Sequence, residues 1–304
     1  MNIAIIGAGF AGTQMYKNLI KDKHTVTLFE KSRGAGGRCS TRYIEDKLID
    51  HGTPYFEAKS TEFKNFCNDQ CKKNILVKIK NIYYPTKGIN KLCSTDIDEN
   101  DFKRNTKITS CKYENNHWIL EDENGLKYPN FERLIITIPT PQILSLDIQL
   151  SSSMKQVLLD VEYDSIATLL LYANNKYDID NLQLEKNTLL KKLVDNSSKY
   201  NYKKFSSYVL HLGENITNLK RFTDKNQIQE FFSNEILPKE NETFIKHFQR
   251  VPHFWKYAFV SKSIEKDYLY DEKISLGLCG DYFSVKNLEG SFLSTKKLYQ
   301  EKFQ

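Results

Sequence analysis

The chain predicts a two-domain α/β protein: a Rossmann-type nucleotide-binding domain built on a parallel sheet, joined to a mixed α+β domain. Three observations carry this. The apolar run of residues 1–6 leads directly into Gly7-x-Gly9-x-x-Gly12. A helix-compatible stretch (13–21) and a second strand-like run (24–29) then complete a βαβ unit, the context that makes the glycine pattern specific. Two further apolar runs, 131–138 and 274–279, read as buried parallel strands, whereas residues 151–270 are less regular.

Each glycine has its own task. Gly7 permits the tight turn, Gly9 lets the backbone approach a pyrophosphate, and Gly12 lets the helix pack closely on the strand. Phe10 and Ala11 open that helix, whose free N–H groups and dipole favour an anion. Glu30 ends the second strand 18 residues after Gly12, where a carboxylate holds ribose hydroxyls. A negative charge there repels a 2′-phosphate, so FAD or NAD is expected rather than NADP.

Residues 31–42 read K-S-R-G-A-G-G-R-C-S-T-R, a glycine-rich loop unsuited to helix or strand. Lys31, Gly37 and Arg38 lie in it. Arg33, Arg38 and Arg42 are three of only seven arginines against 37 lysines, which points to bidentate geometry. A short strand and turn follow at 48–56, containing His51 and Gly52. Residues 60–73 are amphipathic and helical, 82–85 extended, and Gly88 precedes a helix with Asn90 and Lys91 at its start. Residues 106–121 form a hairpin around Asn115-Asn116. In the irregular middle, 167–173 and 208–212 read as strands and 224–236 as a helix. The last helix starts across 288–294.

The composition removes several classes. With 40% apolar and 12% aromatic residues the chain is globular. No run approaches the roughly 18 apolar residues of a membrane span, and the N-terminus lacks the basic flank of a signal peptide, so a cytoplasmic protein is expected. The six cysteines are scattered, read as reduced thiols, and supply no metal site. The net charge of +6 reflects lysine bias without an aromatic-basic stripe, so neither a nucleic acid nor a membrane is an expected partner.

Four blocks together resemble the FAD-dependent oxidoreductases of the glutathione-reductase/hydroxylase superfamily, amine-oxidase-like and most similar to the bacterial renalase-like proteins. They are G-A-G-F-A-G at 7–12; E-K-S-R-G-A-G-G-R-C-S-T-R at 30–42 with D-H-G at 50–52; H-F-W-K-Y-A at 253–258; and C-G-D-Y-F through L-E-G-S-F-L-S at 279–294. The resemblance implies noncovalent FAD, with Arg38 and the loop glycines on its pyrophosphate. It implies that Gly280 and Asp281 hold the ribityl or phosphate part, and that the helix opening near Glu289, Gly290 and Phe292 points its positive end at the flavin. It also places Ile108 near the adenine. Two departures stand out: Pro54, where the family pattern reads G-A-Q-Y-F, and Tyr282, where tryptophan is common.

No nucleophile pattern occurs. His51 beside Asp50 reads either as a positioning or acid–base pair or as a structural turn histidine. His253, Trp255 and Tyr257 alternate onto one strand face, as a wall of a substrate slot or as a core strand. Asn90 is a further candidate at the flavin edge. The resemblance implies oxidation of misreduced 2- or 6-dihydro isomers of NAD(P)H, with O2 as acceptor and H2O2 as product. An amine oxidase or desaturase of the same superfamily, or a non-catalytic FAD-binding protein, is the alternative. The expected division is 1–75, 86–150 and 270–304 for the FAD domain, with 76–85 and 151–269 for the substrate domain.

Overall fold

The computed structural model describes residues 1–179, 184–237 and 245–304. Its first layer is a six-stranded sheet in the order Leu269–Asp271, Leu276–Leu278, Arg133–Ile136, Asn2–Ile6, Thr25–Phe29, Phe102–Lys103. All neighbours are parallel except the antiparallel edge strand Leu269–Asp271. Both ends of the chain therefore meet in one sheet.

The central strands are apolar on both faces because both faces are covered. Ile3 and Ile5 pack with Met15, Leu19 and Leu298, under the helices Phe10–Lys21 and Leu288–Lys302. Ala4 and Ile6 point the other way, towards Trp118, Leu120 and Phe131 of an antiparallel sheet built on Ile108–Glu114, His117–Asp122 and Lys127–Phe131. The hairpin turns at Asn115 and Asn116, both with positive φ, as that dipeptide permits.

A second four-stranded antiparallel sheet has the order Leu190–Asp195, Ser206–Leu212, Glu162–Ala173, Gln249–Lys262. Leu169, Leu171, Leu210 and Phe232 fill one side, beneath the helices Glu214–Lys220 and Lys225–Phe231. Its other side carries Leu170, Val194 and Val209 against Ile49 of the Thr41–Ile44/Lys47–Asp50 hairpin. The strand read at 167–173 starts earlier, at Glu162, and the helix read across 224–236 becomes a π-helical turn from Phe232. The final helix opens at Leu288 with Asn287 as its cap, two residues before Gly290. All six cysteines are free thiols. Among the described residues, no helix is long and apolar enough to cross a membrane.

Candidate functional site

The first turn of the βαβ unit builds one end of a cleft of about 690 Å³. Gly7 adopts φ +102° and donates its N–H to Phe29. A Cβ on Gly12 would sit 1.9 Å from the Gly7 carbonyl oxygen, so the helix–strand contact demands glycine there. A Cβ on Gly9 would meet nothing within 4 Å, so this backbone faces open space. Gly7, Gly9, Phe10 and Ala11 all line the cleft.

Glu30 is buried at the same end, and its two carboxylate oxygens accept the Ala8 and Ser32 amides at 2.9 and 2.8 Å. Those bonds fix the carboxylate at the cleft wall. Lys31 reaches Gln142 at 3.1 Å across this end. The glycine loop folds back on the first turn, Gly36 donating to Ala8, and Gly37 packs its Cβ position 3.3 Å from Gly9.

Arg38 crosses the cleft and forms a two-pronged pair with Asp281, both bonds 2.6 Å, with Asp281 almost fully buried beside Gly280. The expectation gave these residues separate ligand contacts; here each is the other's partner. Asn287, Leu288 and Ser291 bring the start of the last helix to this far end. His253, Trp255 and Tyr257 form the opposing wall, and Thr53 and Phe56 complete it. Ring centroids lie 4.3 Å apart for His253–Trp255, 5.1 Å for His51–His253 and 5.5 Å for His51–Trp255.

Several expected site residues do something else. Asp50 does not serve His51: it is fully buried and accepts from Thr41, the Ile89 amide, Lys199 and Tyr200. His51 instead touches Ser40 through Nε2 and accepts the Trp255 indole N–H on its carbonyl. Asn90 accepts from Tyr43 and does not line the cleft. Ile108 is a core side chain, and Gly52 is a close backbone contact with the Arg38 carbonyl. Glu289 caps the neighbouring helix Thr61–Lys72, taking the Lys59 and Ser60 amides at 2.9 and 2.7 Å. Gly290 is pressed against the Val285 carbonyl, and Phe292 stacks among Phe63 and Phe66. Of the two departures, Pro54 offers its carbonyl to Lys199, and Tyr282 is buried against Phe283.

Desolvation holds the histidines neutral: the His51 imidazole is pushed down to about 4 and His253 to about 3. A third member, His211, is pushed to about 3 by the same cause, with Lys192 adding to it. His211 went unread because its strand, S-S-Y-V-L-H-L, looks like plain core; a lone histidine in such a run is the available signal. Among the described residues, no group of His, Cys, Asp or Glu could hold a metal ion.

The described residues form a Rossmann-like α/β fold, with a second, antiparallel sheet supplying one wall of the cleft. Residues 5–69 match the family described as an NAD(P)-binding Rossmann-like domain. The whole chain has the fold of a CLA-producing fatty acid isomerase from P. acnes (11% identity, 99% of this chain and 98% of that one, TM-score 0.64). It shares that fold with an oxidoreductase from Methanosarcina mazei (12%, 99% and 100%, 0.64) and with a variant of putrescine oxidase redesigned in its cofactor binding (9%, 98% and 98%, 0.63).

Proposed function

We propose that the protein is a FAD-dependent oxidoreductase that oxidises 2- or 6-dihydro isomers of NAD(H) or NADP(H). The overall reaction consumes the dihydronicotinamide, O2 and a proton, and yields NAD(P)⁺ and H2O2. The observation that carries it is one continuous cleft. It runs from the Glu30 carboxylate, past the open backbone at Gly9 and the Arg38 fork, to a helix N-terminus facing an aromatic–histidine wall.

These residues fit FAD. Glu30 keeps lone pairs for ribose hydroxyls after binding two amides. Gly9 leaves the room a pyrophosphate needs, and the first helix supplies positive potential, the Arg38 charge being matched by Asp281. The bound flavin would supply a hydride acceptor, and the start of the Leu288–Lys302 helix would present positive potential to it. Trp255 and Tyr257 would hold a flat ring donor against it, and the neutral His253, itself supported by His51, would orient the donor by hydrogen bonds.

The putrescine oxidase likeness favours an amine donor as the second reading. One lining carboxylate speaks against it: Asp281 is already matched by Arg38 and is not free for an ammonium group. Anaerobic mixing of the purified yellow protein with misreduced NADH isomers, β-NADH and putrescine tests the choice. Bleaching by the isomers first is expected; bleaching by putrescine alone moves the protein to the amine reading, and bleaching by no donor to a non-catalytic one.

A further inference from the structure

The second sheet carries a polar row that a dinucleotide cofactor does not account for. Lys192 pairs with His211, His211 with Thr168, and Thr168 with His253, each directly opposite across four antiparallel strands. Residues directly opposite project from the same face. This is the face bearing His253 and Trp255, so the row leads away from the cleft wall towards Lys192.

Two features of the row are unusual. His211 is buried; its Nδ1 meets Thr168 Oγ1 at 3.3 Å and its Nε2 has no partner. At the far end the Lys192 ammonium lies 4.3 Å over the Tyr55 ring, half-buried, with no carboxylate in ion-pair contact among the described residues. Arg42 lies on the hairpin that packs on this same face, directly opposite Ile49, whose side chain touches Val194 and Val209. The acids nearby are already spent. Asp50 is matched by Lys199, and Glu214 by Lys191 at 2.9 Å.

We infer that Lys192 and Arg42, with the free Nε2 of His211, form an anion-recognising subsite beside the reacting end of the cleft. It selects donors that carry a phosphate or carboxylate over neutral or cationic ones. The reasoning is energetic. Burying a cation without a counter-charge costs free energy, and an arriving anion returns it. Uncharged histidines beside that cation supply directional hydrogen bonds without adding charge of their own. This deepens the flavin oxidoreductase reading and rests on it for the word donor, but the anion site is testable without turnover.

The experiment uses the purified protein as isolated. Trp255 touches both His51 and His253, whereas Trp118 is buried in another core, so tryptophan fluorescence reports on this wall. Inorganic pyrophosphate, malonate, nicotinamide and putrescine are titrated separately. The expected result is a saturable change with pyrophosphate or malonate and none with the other two. A response to pyrophosphate alone assigns a phosphate, and to malonate alone a carboxylate. K192M and R42Q should each weaken that anion about tenfold, the loss of one charge-assisted bond, while K192R retains it and K64A, on an exposed helix face, leaves it unchanged. An anion response that survives both K192M and R42Q but vanishes in R38K places the ion in the cofactor groove and overturns the proposal. So does an equal response to putrescine. If one variant does not fold, the other and K192R decide. A colourless protein would end the flavin reading and leave these titrations to judge the subsite alone.

Discussion

At the scale of single residues, Glu30 and Arg38 make the sharpest claims. Glu30→Ala should weaken FAD binding roughly ten- to a hundredfold, the value of a charged hydrogen bond of about 1.5–3 kcal/mol. Flavin occupancy after equilibrium dialysis measures it; unchanged occupancy would show that the carboxylate serves only the Ala8 and Ser32 amides. The histidines make a second claim. His51, His211 and His253 are neutral when folded, with values of about 4, 3 and 3 against an ordinary 6.5. A folded value below the unfolded one means the unfolded chain binds more protons between the two. Stability should then fall as pH drops from 6.5 towards 4, on the order of 1 kcal/mol per pH unit for each histidine. Urea unfolding across that range checks it, and a flat profile would mean the rings are solvated. That Glu30 and Arg38 line one cleft was legible from their short spacing to glycines and Asp281 from the resemblance, but the Arg38–Asp281 pair spans 243 positions and was not. Of the two readings of His51, a pair with Asp50 is not the one formed: consecutive residues at a strand end point to opposite faces, one towards Lys199 and the other towards Trp255.

At the scale of elements, the Lys47–Asp50 strand is tied to the second sheet through Asp50, Lys199 and Tyr200. Asp50 is fully buried and the Lys199 side chain nearly so. Lys199→Met should cost about 3–5 kcal/mol of unfolding free energy, because it strands a buried carboxylate, and pairing it with Asp50→Asn should recover part of the loss. A cost below about 1 kcal/mol, typical of an exposed pair, would contradict the assignment. The central parallel strands were readable from their apolar runs and the helix at 60–73 from its amphipathic pattern, which starts one residue late because Ser60 is its cap. The row Lys192–His211–Thr168–His253 was not, since cross-strand register depends on pairings between residues up to 85 positions apart. The early start of the Glu162–Ala173 strand was hidden by polar residues and a shift in register between Asp164 and Ile166.

At the scale of the whole molecule, the parallel sheet gathers both chain ends and the antiparallel sheet closes over the groove they form. The fold class was legible because the nucleotide-binding turn is written in consecutive residues, while the shape of the opposing wall depends on contacts such as Trp255 to His51 over 204 positions. The account stands on one claim, that the groove holds FAD and presents it to a dihydronicotinamide. Anaerobic stopped-flow mixing of the purified protein with misreduced NADH isomers tests it most directly. Rapid loss of the yellow absorbance, faster than with an equal concentration of β-NADH, is the predicted result; a visible spectrum unchanged by the isomers, or a protein carrying no flavin, would contradict it.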